Sequence, residues 1–282
     1  MNSSSPGGRR QARGGTSRWR YSAAVRSVLI LARQRIRSRL AHPADLFAGA
    51  LSNTLIAATG PVVLTAMASS FDDLRGWSFA EVAVIWGFAE CVVGLFYVLF
   101  QGLMVFNVRY VLGGELDRVL TRPVDPLLHV LADNLSLEDL PVAALGLGVV
   151  VWGAAGVSGV PPWVWLLFPV QVLAALAVLA GVMVAFSAAG FHLRHRGTAI
   201  GLVFQLGTYA RWPLDLFGEP LRWLLTAGIP LGFAGFYPAT VFLGRPEWAA
   251  WGWATPAVGA VCAAGGWIVW HRSARAYGSV GA

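Results

Sequence analysis

The chain contains no lysine: all 21 of its basic residues are arginines. That absence excludes one chemistry. A phosphate-binding P-loop, Gly-x-x-x-x-Gly-Lys-Ser/Thr, uses its lysine to reach the terminal phosphates. The chain therefore cannot hydrolyse ATP through such a loop, and any ATP-driven work must use another chain's ATPase. Charge of either sign is scarce. Charged residues are 12% of the 282 and hydrophobic residues 56%, whereas a soluble domain carries roughly a quarter charged. Too little polar surface remains to keep a protein of this size in water. Cysteine is nearly absent. Cys91 and Cys262 stand far apart inside apolar blocks, so the sequence offers neither a disulfide framework nor a metal-ligand spacing. No apolar h-region precedes a cleavage site in residues 1–20, which do not read as a signal peptide. The short alternating strands of a membrane barrel are also missing.

What is present is a series of continuous apolar blocks, each near the roughly 20 residues that a helix needs to cross a bilayer. They predict an all-α membrane protein with six transmembrane helices, at about residues 45–68, 79–106, 140–157, 163–189, 197–216 and 249–270. The third is rich in glycine (Gly146, Gly148, Gly153, Gly156). In the fourth, Ala177, Gly181, Ala185 and Ala189 recur every fourth residue, a stripe that lets helices approach closely. Residues 217–248 are apolar but broken by Pro220, Pro230, Gly232, Gly235, Pro238 and Pro246. They read as two half-helices dipping into the membrane, where broken backbone must be satisfied by protein or by a wet cavity.

Residues 1–18 form a small, polar, basic arm, expected to be disordered. In residues 19–41, Val25, Val28, Leu29, Ile36 and Leu40 fit an apolar face, and Arg26, Arg33, Arg37 and Arg39 populate the rest. This predicts an amphipathic helix on the membrane surface, its arginines near anionic headgroups; the alternative is a helix packed on other protein. The membrane accounts for the basic charge without nucleic acid. Residues 42–282 are then the transmembrane domain. Ten arginines precede the first span, and Arg109, Arg118, Arg122, Arg194, Arg196, Arg272 and Arg275 fall on the same side of a six-span chain. The arginine rule thus predicts a multi-pass protein of the cell membrane with both termini cytoplasmic. Trp77, Trp163, Trp212, Trp223, Trp248, Trp251 and Trp270 are expected in an aromatic belt at the interfaces.

Several polar residues fall inside the spans. Glu90 stands near the middle of the second, where a carboxylate costs about 2–3 kcal/mol and usually faces a partner or wet cavity. It is the candidate pathway residue, able to meet a cationic substrate or carry a proton; the plainer reading is a neutral acid that packs helices. Gln101, Gln171 and Gln205 are expected to make interhelical hydrogen bonds, and Arg211 and Asp215, at i and i+4, to pair near the outer surface. His192 and His195 make an incomplete metal site, so no metal and no cofactor is expected in this chain.

The segment 113–126 is the most informative. Gly113 and Gly114 open it and Pro123 closes it, leaving about two turns of helix. Leu116, Val119 and Leu120 share one face, while Glu115 and Arg118 can pair on the other. Glu115 and Asp117 near the start, and Arg122 at the end, suit the helix dipole. Such a ridge is suited to another protein's groove, although an ordinary solvated loop helix has the same pattern. Here Gly114-Glu115-Leu116-Asp117-Arg118-x-Leu120-x-Arg122-Pro123 resembles the signature of small permease subunits of ABC transporters, the type 2 exporter permeases. Phe236-Tyr237-Pro238-Ala239 followed by Leu243-Gly244, and the ending Tyr277-Gly278-Ser279, are similar to that family too.

The resemblance covers nearly the whole chain after residue 19 and implies a role for each part. Residues 115–122 (Glu115, Leu116, Asp117, Arg118, Val119, Leu120 and Arg122) would be the coupling helix that meets the ATPase. Residues 19–41 would be the interfacial elbow and 217–248 the outer re-entrant hairpin. A second permease, identical or sister, would complete the pathway in the bilayer, and ATP and Mg would bind in the partner ATPase. The competing readings are a proton-driven secondary transporter using Glu90, and an intramembrane enzyme, which the isolation of Glu90 disfavours.

Overall fold

A computed structural model describes residues 16–68, 75–122, 124–191 and 199–277 of the chain. The arm before residue 16, the Asp72–Asp73 turn, Pro123, the His192–Arg196 loop, and Gly278 and Ser279 lie outside the described residues. Among the described residues the fold is helical. Helix α1 (Thr16–Leu40) precedes α2 (Pro43–Ala68), α3 (Phe79–Val105), α4 (Glu115–Leu120), α5 (Pro126–Asp133) and α6 (Leu140–Ala154). Then come α7 (Phe168–Ser187), α8 (Ala199–Gly207), α9 (Glu219–Trp223), α10 (Phe236–Thr240) and α11 (Pro246–Ala276).

The core is α3 with the helices around it. Ser78 starts α3 with a capping box: its hydroxyl accepts from the Glu81 backbone N–H, and the Glu81 carboxylate accepts from the Ser78 N–H. Helix α3 runs antiparallel to α6, and backbones nearly touch where a side chain would forbid it. Gly94 faces the backbone of Ala143, and Gly146 faces that of Cys91. Helices α7 and α11 lie parallel, with Gly181 against Cys262 and Gly266, and Gly259 against Ala174. The small-residue stripe expected in the fourth span is therefore a packing seam at Gly181 and Ala177. Gly148 meets nothing within 4 Å and carries no such contact.

Among the described residues, five helical stretches are long and apolar enough to cross a membrane: Pro43–Ala66, Phe79–Leu112, Leu137–Ala154, Pro162–Phe191 and Pro246–Ala276. The span expected at 197–216 is not among them. Its α-helix is the nine-residue α8, followed by tighter turns at Thr208–Arg211 and Leu214–Leu216. Pro213 stands between these turns and cannot continue a helix. The segment nevertheless follows α3 in the opposite direction: Phe204 lies against Tyr97, Arg211 against Glu90, and Asp215 against Trp77. From Tyr97 back to Trp77 is about 30 Å at helical rise, comparable to a bilayer's hydrocarbon core.

Residues 217–248 are broken as their prolines and glycines predict, into α9, a wide turn at Leu224–Gly228, a tight turn at Leu231–Ala234, and α10. Residues 231–243 are buried throughout, so protein rather than lipid surrounds this irregular backbone. Tyr237 shares a 2.6 Å hydrogen bond with Thr226 and sits among Phe233, Phe236, Trp248 and Trp251. Two tryptophans depart from the expected belt. Trp77 and Trp270 are buried: Trp77 donates its indole N–H to Asp215, and Trp270 packs between Phe106 and Phe191. Trp163, Trp223 and Trp251 are exposed.

Candidate pathway cavity and coupling segment

The Glu90 carboxylate comes first, because burying it demands an account. It is 4% exposed, and Arg211 Nη1 lies 3.0 Å from its Oε2. Arg211 was expected to pair with Asp215, four residues on. It turns instead across to α3, and Asp215 accepts from Trp77 while its backbone carbonyl accepts from Arg75. Opposite charges attract most strongly where water is thin, and Asp215 already has a donor. The Glu90–Arg211 contact is an ion pair without an aligned hydrogen bond, leaving Glu90 Oε2 and Arg211 Nε without hydrogen-bond partners.

The pair lies on an open-sided cavity of about 650 Å³ bordered by α2, α3, the turn leading into α6 with Val142 of that helix, and α8 with its following turn. Glu90, Val93, Tyr97 and Gln101 recur at i, i+3, i+7 and i+11, so one face of α3 supplies a whole wall. Gln101 was expected to bridge helices; its Oε1 has no partner, nor does that of Gln171, and Gln205 is exposed. Asn53 on α2 donates to Asp139 Oδ1 at 2.8 Å, and Ser136 donates to Asp139 Oδ2 at 2.5 Å. Glu138 pairs with Arg39 of α1 at 3.1 Å, and its Oε2 has no partner. Sequence reasoning missed this assembly, although the spacing of Glu90, Tyr97 and Gln101 was a readable signal for it. Among the described residues no cluster of His, Cys, Asp or Glu is arranged to hold a metal ion.

The second region lies at the far end of α3, where the helix widens over Phe106–Leu112 and stops at Gly113. Gly114 takes φ +73°, the left-handed conformation that glycine reaches without strain, and α4 begins at the next residue. The apolar ridge predicted for docking is only partly outward. Leu116 and Val119 are 0% and 4% exposed, packed in the chain's own core, because the turn at Gly114 folds that face of α4 onto the end of α3. Arg118, Leu120 and Arg122 are exposed, and Glu115 and Asp117 are half-buried.

Arg109 organises this end. It donates to Glu115 at 2.9 Å and to Asn134 at 2.8 Å, and lies 3.0 Å from Asp133. Tyr110 also donates to Asp133, and Asn134 donates to the Tyr110 oxygen. One guanidinium thus ties α3, α4 and α5 together, a use of its fork of donors that a point charge does not match. Asp125 caps α5 through the Leu127 and Leu128 N–H groups and meets His271 of α11 at 2.6 Å. His129 is buried, with Nδ1 unpartnered. Burial, and then the nearby Arg122 guanidinium, hold its imidazole below the usual value.

The chain therefore combines a bundle of apolar, membrane-length helices, a polar cavity in that bundle, and a short charged helix at one end. A family model described as ABC-2 family transporter protein matches residues 54–281. No curated protein and no solved structure matches the chain. The family match runs from within α2 past the end of the last helix and takes in α4 and most of the cavity wall, so the chain belongs to the ABC-2 family of transporter membrane proteins.

Proposed function

We propose that this chain is the permease subunit of an ATP-driven exporter, coupled to a separate ATPase through residues 115–122 and working as a dimer of permeases. The observation that carries the reading is α4: a short helix anchored from behind by Leu116, Val119 and Arg109, with Arg118, Leu120 and Arg122 facing outward. An exposed helix so fixed to the end of a core helix transmits force, because its anchor cannot yield without breaking the Arg109 network. The absence of lysine, which a P-loop requires, supports a partner chain as the one that binds ATP and Mg.

The topology that goes with this reading has six crossings, with residues 199–216 as the irregular fifth and 217–248 as a re-entrant hairpin on the outer side. Support comes from the antiparallel course of 199–216 along α3 and from the protein-buried backbone of 231–243. Both termini then lie on the cytoplasmic side with α4, α1 lies along the membrane surface, and Glu90 lies on the pathway. Leu29, Ile30 and Leu40 are exposed on α1 and suit that surface placement.

Capture of the full-length protein from its native membranes in mild detergent, with mass spectrometry of what accompanies it, tests the proposal. A near-stoichiometric P-loop ATPase is the expected companion. An active preparation that lacks one, and whose transport collapses with the proton gradient, overturns the reading in favour of a proton-driven transporter.

A further inference from the structure

We infer that the cavity beside Glu90 binds organic cations that carry N–H donors on an apolar body, a primary alkylammonium being the simplest. The inference rests on the permease reading and supplies its substrate class. A volume of about 650 Å³ is that of a small-molecule site. The charge census of the wall is acidic: Glu90, Glu138 and Asp139 against Arg211. Asp139 has both oxygens engaged by Asn53 and Ser136. Among the fully buried atoms of the wall that lack an aligned hydrogen bond, three are acceptors (Glu90 Oε2, Gln101 Oε1 and Glu138 Oε2) and one, Arg211 Nε, is a donor; of the three, Glu90 Oε2 already has Arg211 Nη1 at 3.0 Å as its counter-ion.

Buried acceptors without partners are costly, and a ligand that donates to them recovers that cost. A carboxylate has about four lone-pair sites, so an ammonium in the cavity can donate to Glu90 without first expelling Arg211. The rest of the wall suits the remainder of such a molecule. Ile56, Val93, Val142 and Phe204 are apolar, and the Tyr97 and Phe204 rings lie close together, 5.4 Å between centroids. An aromatic face attracts a cation and tolerates an alkyl chain. An anion meets three carboxylates there against one guanidinium of the wall, which Glu90 already engages. A quaternary ammonium satisfies the charge but leaves the acceptors unpaired.

The test is equilibrium binding of radiolabelled octylamine to the full-length protein in zwitterionic nanodiscs, with empty discs subtracted. Saturable binding is expected, weakened about tenfold or more by Gln101→Leu and by Glu90→Gln. Octyltrimethylammonium should bind about tenfold more weakly than octylamine, and octyl sulfate should not compete. Wild-type affinity in Gln101→Leu overturns the inference, as does competition by octyl sulfate at octylamine's own concentration. Glu90→Gln leaves Arg211 without its counter-ion; should that variant misfold, Gln101→Leu decides alone once its elution matches wild type, because Gln101 Oε1 has no hydrogen bond to lose. Binding requires no ATPase. Failure here therefore leaves the exporter reading intact, and failure to capture an ATPase leaves this result standing.

Discussion

Arg245 grips Glu81 across 164 residues of chain, with Nε 2.6 Å from one carboxylate oxygen and Nη2 2.7 Å from the other. The same guanidinium donates to the Gly76 carbonyl and lies over the Trp77 ring, 4.7 Å from its centroid. The hydrogen bond to Glu81 raises the Arg245 pKa above its ordinary value, against the opposing effect of burial. Glu81 also closes the capping box of α3, so one carboxylate both starts the central helix and holds the lead-in to α11. Arg245→Lys keeps the charge but loses the bidentate geometry. It should destabilise the protein by about 1–3 kcal/mol, read as a lower thermal unfolding midpoint in detergent, and Glu81→Gln should do the same.

Helix α4 has a buried face, Leu116 and Val119, and an exposed one that the proposed docking would use. Leu116→Asp places a charge in the core and should abolish monodisperse expression. Leu120→Asp alters an exposed side chain and should leave elution unchanged while cutting ATPase capture about tenfold or more. Equal capture by Leu120→Asp and wild type would remove the docking role from this face.

His129 makes stability depend on pH in a defined direction. Its folded-state pKa lies below the unfolded value of about 6.5, through burial first and Arg122 second. Between those two values the unfolded chain binds more protons, so unfolding free energy falls as pH drops. The contribution is complete above about pH 6.5 and is lost as pH falls through the lower, folded value. Unfolding midpoints taken between pH 7.5 and pH 5 should decline for wild type, about neutral to mildly acidic being the informative window. His129→Leu should flatten that decline, and an unchanged slope would assign the pH dependence to other groups.

Asp125 acts twice, and two variants separate the acts. Asn is as good an N-cap as Asp, so Asp125→Asn keeps the α5 cap while weakening the contact to His271. Asp125→Ala loses both and should cost about 1 kcal/mol more than Asp125→Asn. His271→Ala should match Asp125→Asn, with the double variant little worse than either, as shared contacts require. Chemical unfolding in detergent reads all four.

Much of the architecture could be read from composition and periodicity, and the misses have physical causes. Apolar runs locate helices well, so the stretches around α2, α3, α6, α7 and α11 were visible. Residues 197–216 looked continuous because hydropathy does not register the turn that Pro213 imposes. Leu116 and Val119 carried a ridge pattern that marks burial equally well inside the chain or against a partner; only the Gly114 turn decides which. Local spacing offered Asp215 to Arg211, whereas the fold brings Glu90 to it from 121 positions away in sequence (211 − 90). Trp77 was assigned to an interface by residue type, yet its N–H is spent on Asp215.

The seam between α7 and α11 is a backbone contact, with Gly181 and Gly266 touching where a larger residue would collide. Gly181→Val should therefore part the two helices and lower stability by about 1–3 kcal/mol, whereas Gly148→Ala, in open space, should be neutral in the same thermal assay.

That contact has a mechanical meaning. Side chains absorb small displacements by changing rotamer, and two glycine backbones have nothing comparable to give. Helices α7 and α11 are thus geared together as one stiff plank, their chain directions aligned. His271 fastens the end of that plank to Asp125, beside α4. Through that one contact the start of α5 and the end of α11 hold their positions together, so the cap of a short helix and the register of a long one are set at the same place.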